Sequence, residues 1–371
     1  MTDRLSPESS AYSSAGVDYQ VLDAGKRAAL SAAISTSKLL SAHGGRALDD
    51  SRGEPAFVFE LGEQTLGFVL EGLGTKSIIA RLVEEQLGIM AFDNVAYDTV
   101  AAIVNDLCCV GALPLVVNAY FATGASEWYS DRARHAALLA GWQQGCIDAG
   151  ATWGGGESPS LPELVSGQEI ELAGSSVGVI PGKPILGDEL APGDELVFVA
   201  SSGLHANGSS LARMVAGRLP HRYATRLASG RTLGESLLDA SVIYVPLVRA
   251  LLESAAPVHY LSHITGHGLL KLMRPRRDLA YRVQQLPEVP EVLAFLVEEA
   301  GMSPHEAYRT FNMGVGFAVY CASGSGADVA DVAGGLGLAA HVAGTVEAGP
   351  RRVILSELGL VMAGDDLDLT P

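Results

Sequence analysis

At 371 residues, 48% hydrophobic and 18% charged, the chain has a globular composition and enough length for two domains with cores of their own. A formal net charge of −17 argues against nucleic acid or an anionic membrane as partner, because both require a basic face that neutralises phosphates. Four cysteines, Cys108, Cys109, Cys146 and Cys321, form no CxxC pair or disulfide framework, which fits a reducing compartment and offers no zinc spacing. Residues 1–20 are Ser-rich and are expected to form a flexible arm. With no apolar h-region at the start and no run of about 18 apolar residues, a cytoplasmic protein without membrane spans is expected.

From Pro55 to Ile180, strand-like runs at 56–61, 65–70, 115–120 and 172–180 alternate with helical patterns at 76–88, 93–111 and 130–149. Pro181 to Gly193 holds three prolines and three glycines and reads as the domain boundary. An N-terminal domain over 21–182 and a C-terminal α/β domain over 183–371, whose first strand starts at Glu195, are therefore expected.

Between the second strand and the first helix stands Glu71-Gly-Leu-Gly-Thr-Lys76. Its glycines let backbone N–H groups approach phosphate oxygens, Lys76 can neutralise charge, and Glu71 can hold a hard cation. By itself the hexapeptide could equally be a tight strand-to-helix turn with a surface lysine. In the helix that follows, Asp98 and Asn105 lie seven apart and share a face, whereas Asp106 points about 80° away from Asp98. The spacing therefore puts Asn105 in the site and leaves Asp106 structural. Gly154-Gly-Gly-Glu157 reads as a tight loop presenting a carboxylate, and Ser201 to Gly208 (SSGLHANG) as a loop after a strand in which His205 can donate to a phosphoryl oxygen or move a proton. His43, His259 and His263 read as packing residues. Tyr308 to Gly316 (YRTFNMGVG) supplies either substrate-facing donors or a structural turn.

Taken in order, EGLGTK, VNDL at 104–107, YFATG at 120–124, GGES at 155–158, GLHANG at 203–208 and YRTFNMGVG resemble the phosphoribosylformylglycinamidine cyclo-ligase (aminoimidazole ribonucleotide synthetase) family over nearly the whole chain. The chain differs from the usual motifs at Glu71 and Ser158. His267 stands in what is usually a run of glycines, so it puts a side chain into space the family leaves open. The resemblance implies a two-domain fold of α/β class with mixed sheets, whose N-terminal domain pairs with its twin in a homodimer that closes a β-barrel. It further implies an ATP-dependent ligase of purine biosynthesis that uses Mg2+ and turns formylglycinamidine ribonucleotide into aminoimidazole ribonucleotide by phosphoryl activation of an amide oxygen. With no GxxxxGK[ST] present, ATP would be used without a P-loop.

On that reading His205, Lys76 and Asp98 are catalytic. Gly72, Gly74, Thr75, Lys76, Asn105, Gly155, Gly156, His205 and Asn207 bind nucleotide, and Glu71, Asp98 and Glu157 hold the metal. The expected partner is a phosphorylated small molecule. The alternatives are another phosphoryl-transfer enzyme of the same superfamily with a different acceptor, or a nucleotide-binding regulator without catalysis.

Overall fold

The computed structural model describes the chain from Tyr19 to Leu367 apart from Ala255, with side chains from Gly25 onward. The expected arm over 1–20 lies outside the described residues except for its last two, which open helix α1 (Tyr19–Ile34).

The N-terminal half builds a sheet from β1 (Gly45–Ala47), β2 (Phe57–Leu61), β3 (Gln64–Gly72), β4 (Leu113–Thr123), β5 (Thr152–Glu157) and β6 (Ile170–Val179), in the order β1-β2-β3-β6-β4-β5. Helices α2 (Lys76–Leu87) and α3 (Phe92–Cys108) follow β3, and α4 (Arg132–Ala149) carries the chain from β4 to its parallel neighbour β5. Asp131 caps α4 by accepting from the Arg134 N–H at 3.0 Å. Gly141 lets α4 lie against α3, since a Cβ there would sit 1.9 Å from the Asp93 carbonyl oxygen. The helical pattern expected to reach residue 111 ends at Cys108. Gly154–Glu157, read from sequence as a tight loop, is extended edge strand in β5, because its neighbours pair in register with β4.

Residues on β3 alternate between two environments. Gly67, Val69 and Glu71 face the helices, where a Cβ on Gly67 would strike Leu107 and Ala112 of the α3 region. Phe68 and Leu70 face away and are 44% and 70% exposed, beside the stacked rings of Phe57 and Phe59 on β2. One face of this sheet is thus apolar and, among the described residues, exposed.

A linker from 180 to 194 leads to β7 (Glu195–Ala200). With β8 (Val258–His263), β9 (Leu279–Val283), β10 (Val315–Cys321), β11 (Ala340–Ala348), β12 (Arg352–Leu355) and β13 (Leu360–Ala363) it forms a second sheet, ordered β13-β12-β9-β11-β7-β10-β8. Every neighbouring pair in it is antiparallel except β12 with β9. β10 is buried along its whole length. The helices of this half are α5 (Ser209–Arg218), α6 (Leu233–Leu237), α7 (Val245–Glu253), α8 (Glu291–Glu299), α9 (Pro304–Thr310) and α10 (Gly326–Gly335).

Helix α3 joins the two halves. Asn105, with no exposed surface, donates from Nδ2 to the Val242 carbonyl and accepts the Tyr244 N–H, both at 2.8 Å. Asp98 accepts the Ser241 N–H at 2.6 Å. The 239–244 segment ahead of α7 is therefore clamped to a helix of the other domain. Replacing Asn105 with Ala strands a buried donor and a buried acceptor, each costing about 1–3 kcal/mol. Equilibrium urea unfolding of Asn105→Ala should accordingly show a loss of roughly 2–5 kcal/mol, and a loss below about 1 kcal/mol would contradict this role.

Candidate active site

A cavity of about 430 Å³ lies where the halves meet. Glu71, Gly72 and Leu73 border it from the end of β3, and Ala206 and Asn207 from the loop after β7. The two loops touch directly, Thr75 Oγ1 lying 3.0 Å from Ser210 Oγ. Asp106 of α3, His263 at the end of β8, and Thr265 to His267 form a further wall, and Lys26, Arg27 and Leu30 of α1 another. Lys271 and Arg274 add two cations.

The Glu71 and Asp106 carboxyl groups stand within hydrogen-bonding reach of each other. Burial, with Asp106 adding to it, pushes the Glu71 carboxyl up to about 8, so near neutral pH it holds the proton between them. Burial acts on Asp106 in the same sense, but His263, Lys271 and Arg274 outweigh it and hold that carboxyl below its ordinary value. His263 Nδ1 lies 2.6 Å from Asp106 Oδ1. Burial and the neighbouring Arg274 push Lys271 down to about 8, against the pull of Asp106 and Glu71. Deeper still, the Tyr260 hydroxyl donates to Glu54 at 2.6 Å, and burial raises that carboxyl as well. The cavity thus sets several cations beside carboxyl groups of which Glu71 is protonated, so a phosphate would be drawn to its cationic side.

Lys76 and Asp98 lie outside this lining. They form an ion pair of 2.5 Å with no exposed surface on either side chain, and Lys76 also donates to the Asp239 carbonyl at 3.1 Å. Two of the three groups expected to be catalytic are therefore spent on each other and on the domain clamp. Removing Lys76 would leave a buried charge unpaired, at a cost of about 3–5 kcal/mol, so loss of activity there would be inseparable from loss of fold.

His205 is buried at a backbone φ of 58°. Its Nε2 accepts the Ser202 N–H at 3.1 Å, which puts the ring proton on Nδ1, a buried atom with no hydrogen-bond partner among the described residues. Burial, then His263 and Lys76, lower its pKa to about 3, so the ring is neutral near neutral pH and its free donor is Nδ1–H. Asn312 of the YRTFNMGVG segment fixes the same loop, donating to the Gly203 carbonyl at 2.8 Å and accepting from Ser201 Oγ at 3.0 Å.

Glu71, Asp98 and Glu157, expected to share a metal, are not brought together. Through the paired strands Glu71 aligns with Gly174, Ala119 and Gly156 on the helix-covered side, whereas Glu157 aligns with Tyr120, Ala173 and Gly72 on the open side. Asp98 is occupied by Lys76 and Ser241. Among the described residues no three His, Cys, Asp or Glu side chains gather as a metal cage. Gly155 and Gly156 are exposed on the β5 edge, three strands from Gly72 and Gly74.

Comparison with known proteins agrees with this architecture. AIR synthase related protein, N-terminal domain, matches residues 53–180, and AIR synthase related protein, C-terminal domain, matches 191–356. Phosphoribosylformylglycinamidine cyclo-ligase of Methanothermobacter thermautotrophicus is 34% identical over 297 residues, 79% of this chain and 83% of that one. This chain belongs to the AIR synthase family. The cyclo-ligase of Lachnospira eligens is 33% identical over 305 residues, 81% of this chain and 86% of that one. Among solved structures, hydrogenase maturation protein HypE in complex with ATP superposes with a TM-score of 0.59 at 16% identity, covering 84% of this chain and 88% of that one. AaThiL complexed with AMPPCP and TMP gives 0.55 at 13%, covering 82% and 87%. At such identities the likeness is one of fold: two mixed α/β domains.

Within this AIR synthase fold, sequence reading missed Asp106, His263, Lys271, Arg274 and Glu54. Asp106 carried a signal, since its 80° offset from Asp98 aims it at a different neighbour, here the cavity. Lys271 and Arg274 lie in no motif and enter the site only through tertiary packing. His267 lines the cavity with its backbone at φ 69°.

The Glu71 proton makes stability depend on pH. The folded chain keeps this proton to about pH 8, whereas the unfolded chain releases it near 4.5, so the stability it contributes is full below 4.5 and is lost as pH rises to about 8. Glu71→Gln cannot ionise and escapes that loss. Its stability relative to the parent should rise between about pH 5 and 8, by up to roughly 3–4 kcal/mol, read as a rise of several degrees in relative melting temperature. A difference that stays flat across that range would refute the shared proton.

Proposed function

We propose that the chain is an ATP-dependent cyclo-ligase that closes the imidazole ring of aminoimidazole ribonucleotide from formylglycinamidine ribonucleotide. In the overall reaction the γ-phosphoryl group of ATP moves to the amide oxygen, a substrate nitrogen attacks that carbon, and the C–O bond breaks to release phosphate, leaving ADP. The observation that carries this reading is the cavity in which the Glu71–Leu73 and Ala206–Asn207 loops converge on buried cations. Family membership and relatives named for this activity support it.

The residues divide the work by position. Gly72, Gly74 and Thr75 offer backbone and hydroxyl donors at the start of α2, where the helix dipole favours anions. Asn207 presents an amide to the same cavity, while Lys271 and Arg274 offset the charge of a phosphorylated substrate. Neutral His205 holds a spare N–H in the loop behind Asn207. Lys76, Asp98 and Asn105 act by positioning, since they fix the clamp that sets the distance between loops.

Magnesium fits one pair here. Mg2+ is commonly held by one or two carboxylates with phosphate oxygens completing its shell. Glu71 and Asp106 face each other across a single proton that a cation would displace. The ion would supply charge neutralisation to the nucleotide phosphates.

The apolar face of the first sheet, with Phe68, Leu70 and Leu115 exposed, is covered in this reading by the same face of a second copy. The twin closes a barrel and brings Glu157 and the β5 glycines beside a groove. Sedimentation should show a homodimer, and Leu70→Asp should convert it to monomer with loss of turnover. A monomeric parent protein would refute the closed barrel.

The reaction is tested with purified protein, ATP, Mg2+ and formylglycinamidine ribonucleotide, following ADP and aminoimidazole ribonucleotide. One ADP per ring is expected. Asn207→Ala should cut turnover on the order of a hundredfold with little change in melting temperature. ADP release confined to another acceptor would replace this reading with that of a superfamily kinase.

A further inference from the structure

A second cavity, of about 570 Å³, lies between α2 and α5 and shares no lining residue with the first. It is bounded by Leu82 and Gln86 of α2, Arg213 and Met214 of α5, and Arg222 and Tyr223 of the turn that follows. We propose that this cavity binds a small phosphorylated aromatic molecule of the nucleoside monophosphate class, held by the guanidinium groups of Arg213 and Arg222 with its ring against the apolar surface of Leu82 and Met214.

Four observations support this. Arg213 Nε is buried with no hydrogen-bond partner, and neither Arg213 nor Arg222 has an ion-pair partner among the described residues. The one acid in the lining, Glu85, is already engaged by Arg81 at 2.6 Å. The wall is therefore cationic in a strongly acidic protein, and guanidinium forks match phosphate oxygens in pairs. Tyr223 is 5% exposed and is fixed through its backbone, its N–H donating to Gln86 Oε1 at 3.2 Å. Its hydroxyl makes no hydrogen bond among the described residues, so the buried ring offers the cavity a spare polar tip. Leu82 and Met214 add apolar surface, and the volume lies within the range usual for small-molecule sites.

The location gives the site reach. α2 begins at Lys76 and α5 at Ser209, directly after the two loops that border the first cavity, and the Thr75–Ser210 contact ties those helix starts together. A molecule wedged between the two helices bears on both loops. The binding proposal itself stands apart from the identity of the reaction.

The experiment is calorimetric titration of AMP into the full chain. Binding with Kd below about 1 mM is expected, weakened at least about tenfold in Arg222→Glu and in Arg213→Gln, and unchanged in Asn207→Ala. Arg222 is exposed, so Arg222→Glu keeps the test valid if Arg213→Gln folds poorly. No binding up to about 10 mM, or undiminished affinity in Arg222→Glu, overturns the proposal. Affinity lost only in Asn207→Ala would place AMP in the first cavity and overturn it equally.

Discussion

The arrangement of this molecule depends on a helix that buries charge. α3 lies on the first sheet at the domain border with Asp98, Asn105 and Asp106 buried, and each meets a partner from outside the helix: Lys76 and the Ser241 N–H, the 242–244 backbone, and His263. A carboxylate in such a place is tolerable only when paired. The partners leave little freedom in how the second sheet sits against the first, and the cavity is the space left between them.

That space is chemically divided. Two carboxylates share a proton on the β3 and α3 side, while Lys271 and Arg274 stand opposite, and the histidine closest to the phosphate loops is neutral. Such a site is poised by compensation, each charged group being held in its state by the others. A substrate that carries its own phosphate would replace part of that compensation, which is how a strongly acidic protein can receive an anionic ligand.

Much of the fold was legible because its local signals agree. The alternation of strand and helix up to residue 180, the Pro- and Gly-rich linker, and the order of six motifs all point to one family. The seven-residue spacing correctly put Asp98 and Asn105 on one face. What that face meets was not legible: it meets the other domain, and the cavity opens toward Asp106. Glu157 shows the same limit in a sheet. Its side of the sheet is set by register across four strands and an irregularity between Val117 and Asn118, neither of which leaves a mark in the peptide Gly154–Glu157. Lys271 and His263 became site residues only through contacts between segments distant in sequence.

The clamp made by α3 also bears on how the chain comes apart. A fragment ending in the linker would hold α3 with an amide and two acids turned toward a neighbour that is missing, and the remaining fragment would expose the carbonyls and N–H groups of 239–244. Neither piece keeps its interior satisfied alone. The clamp therefore favours melting that is coupled across the domain border, even though the two halves have separate sheets.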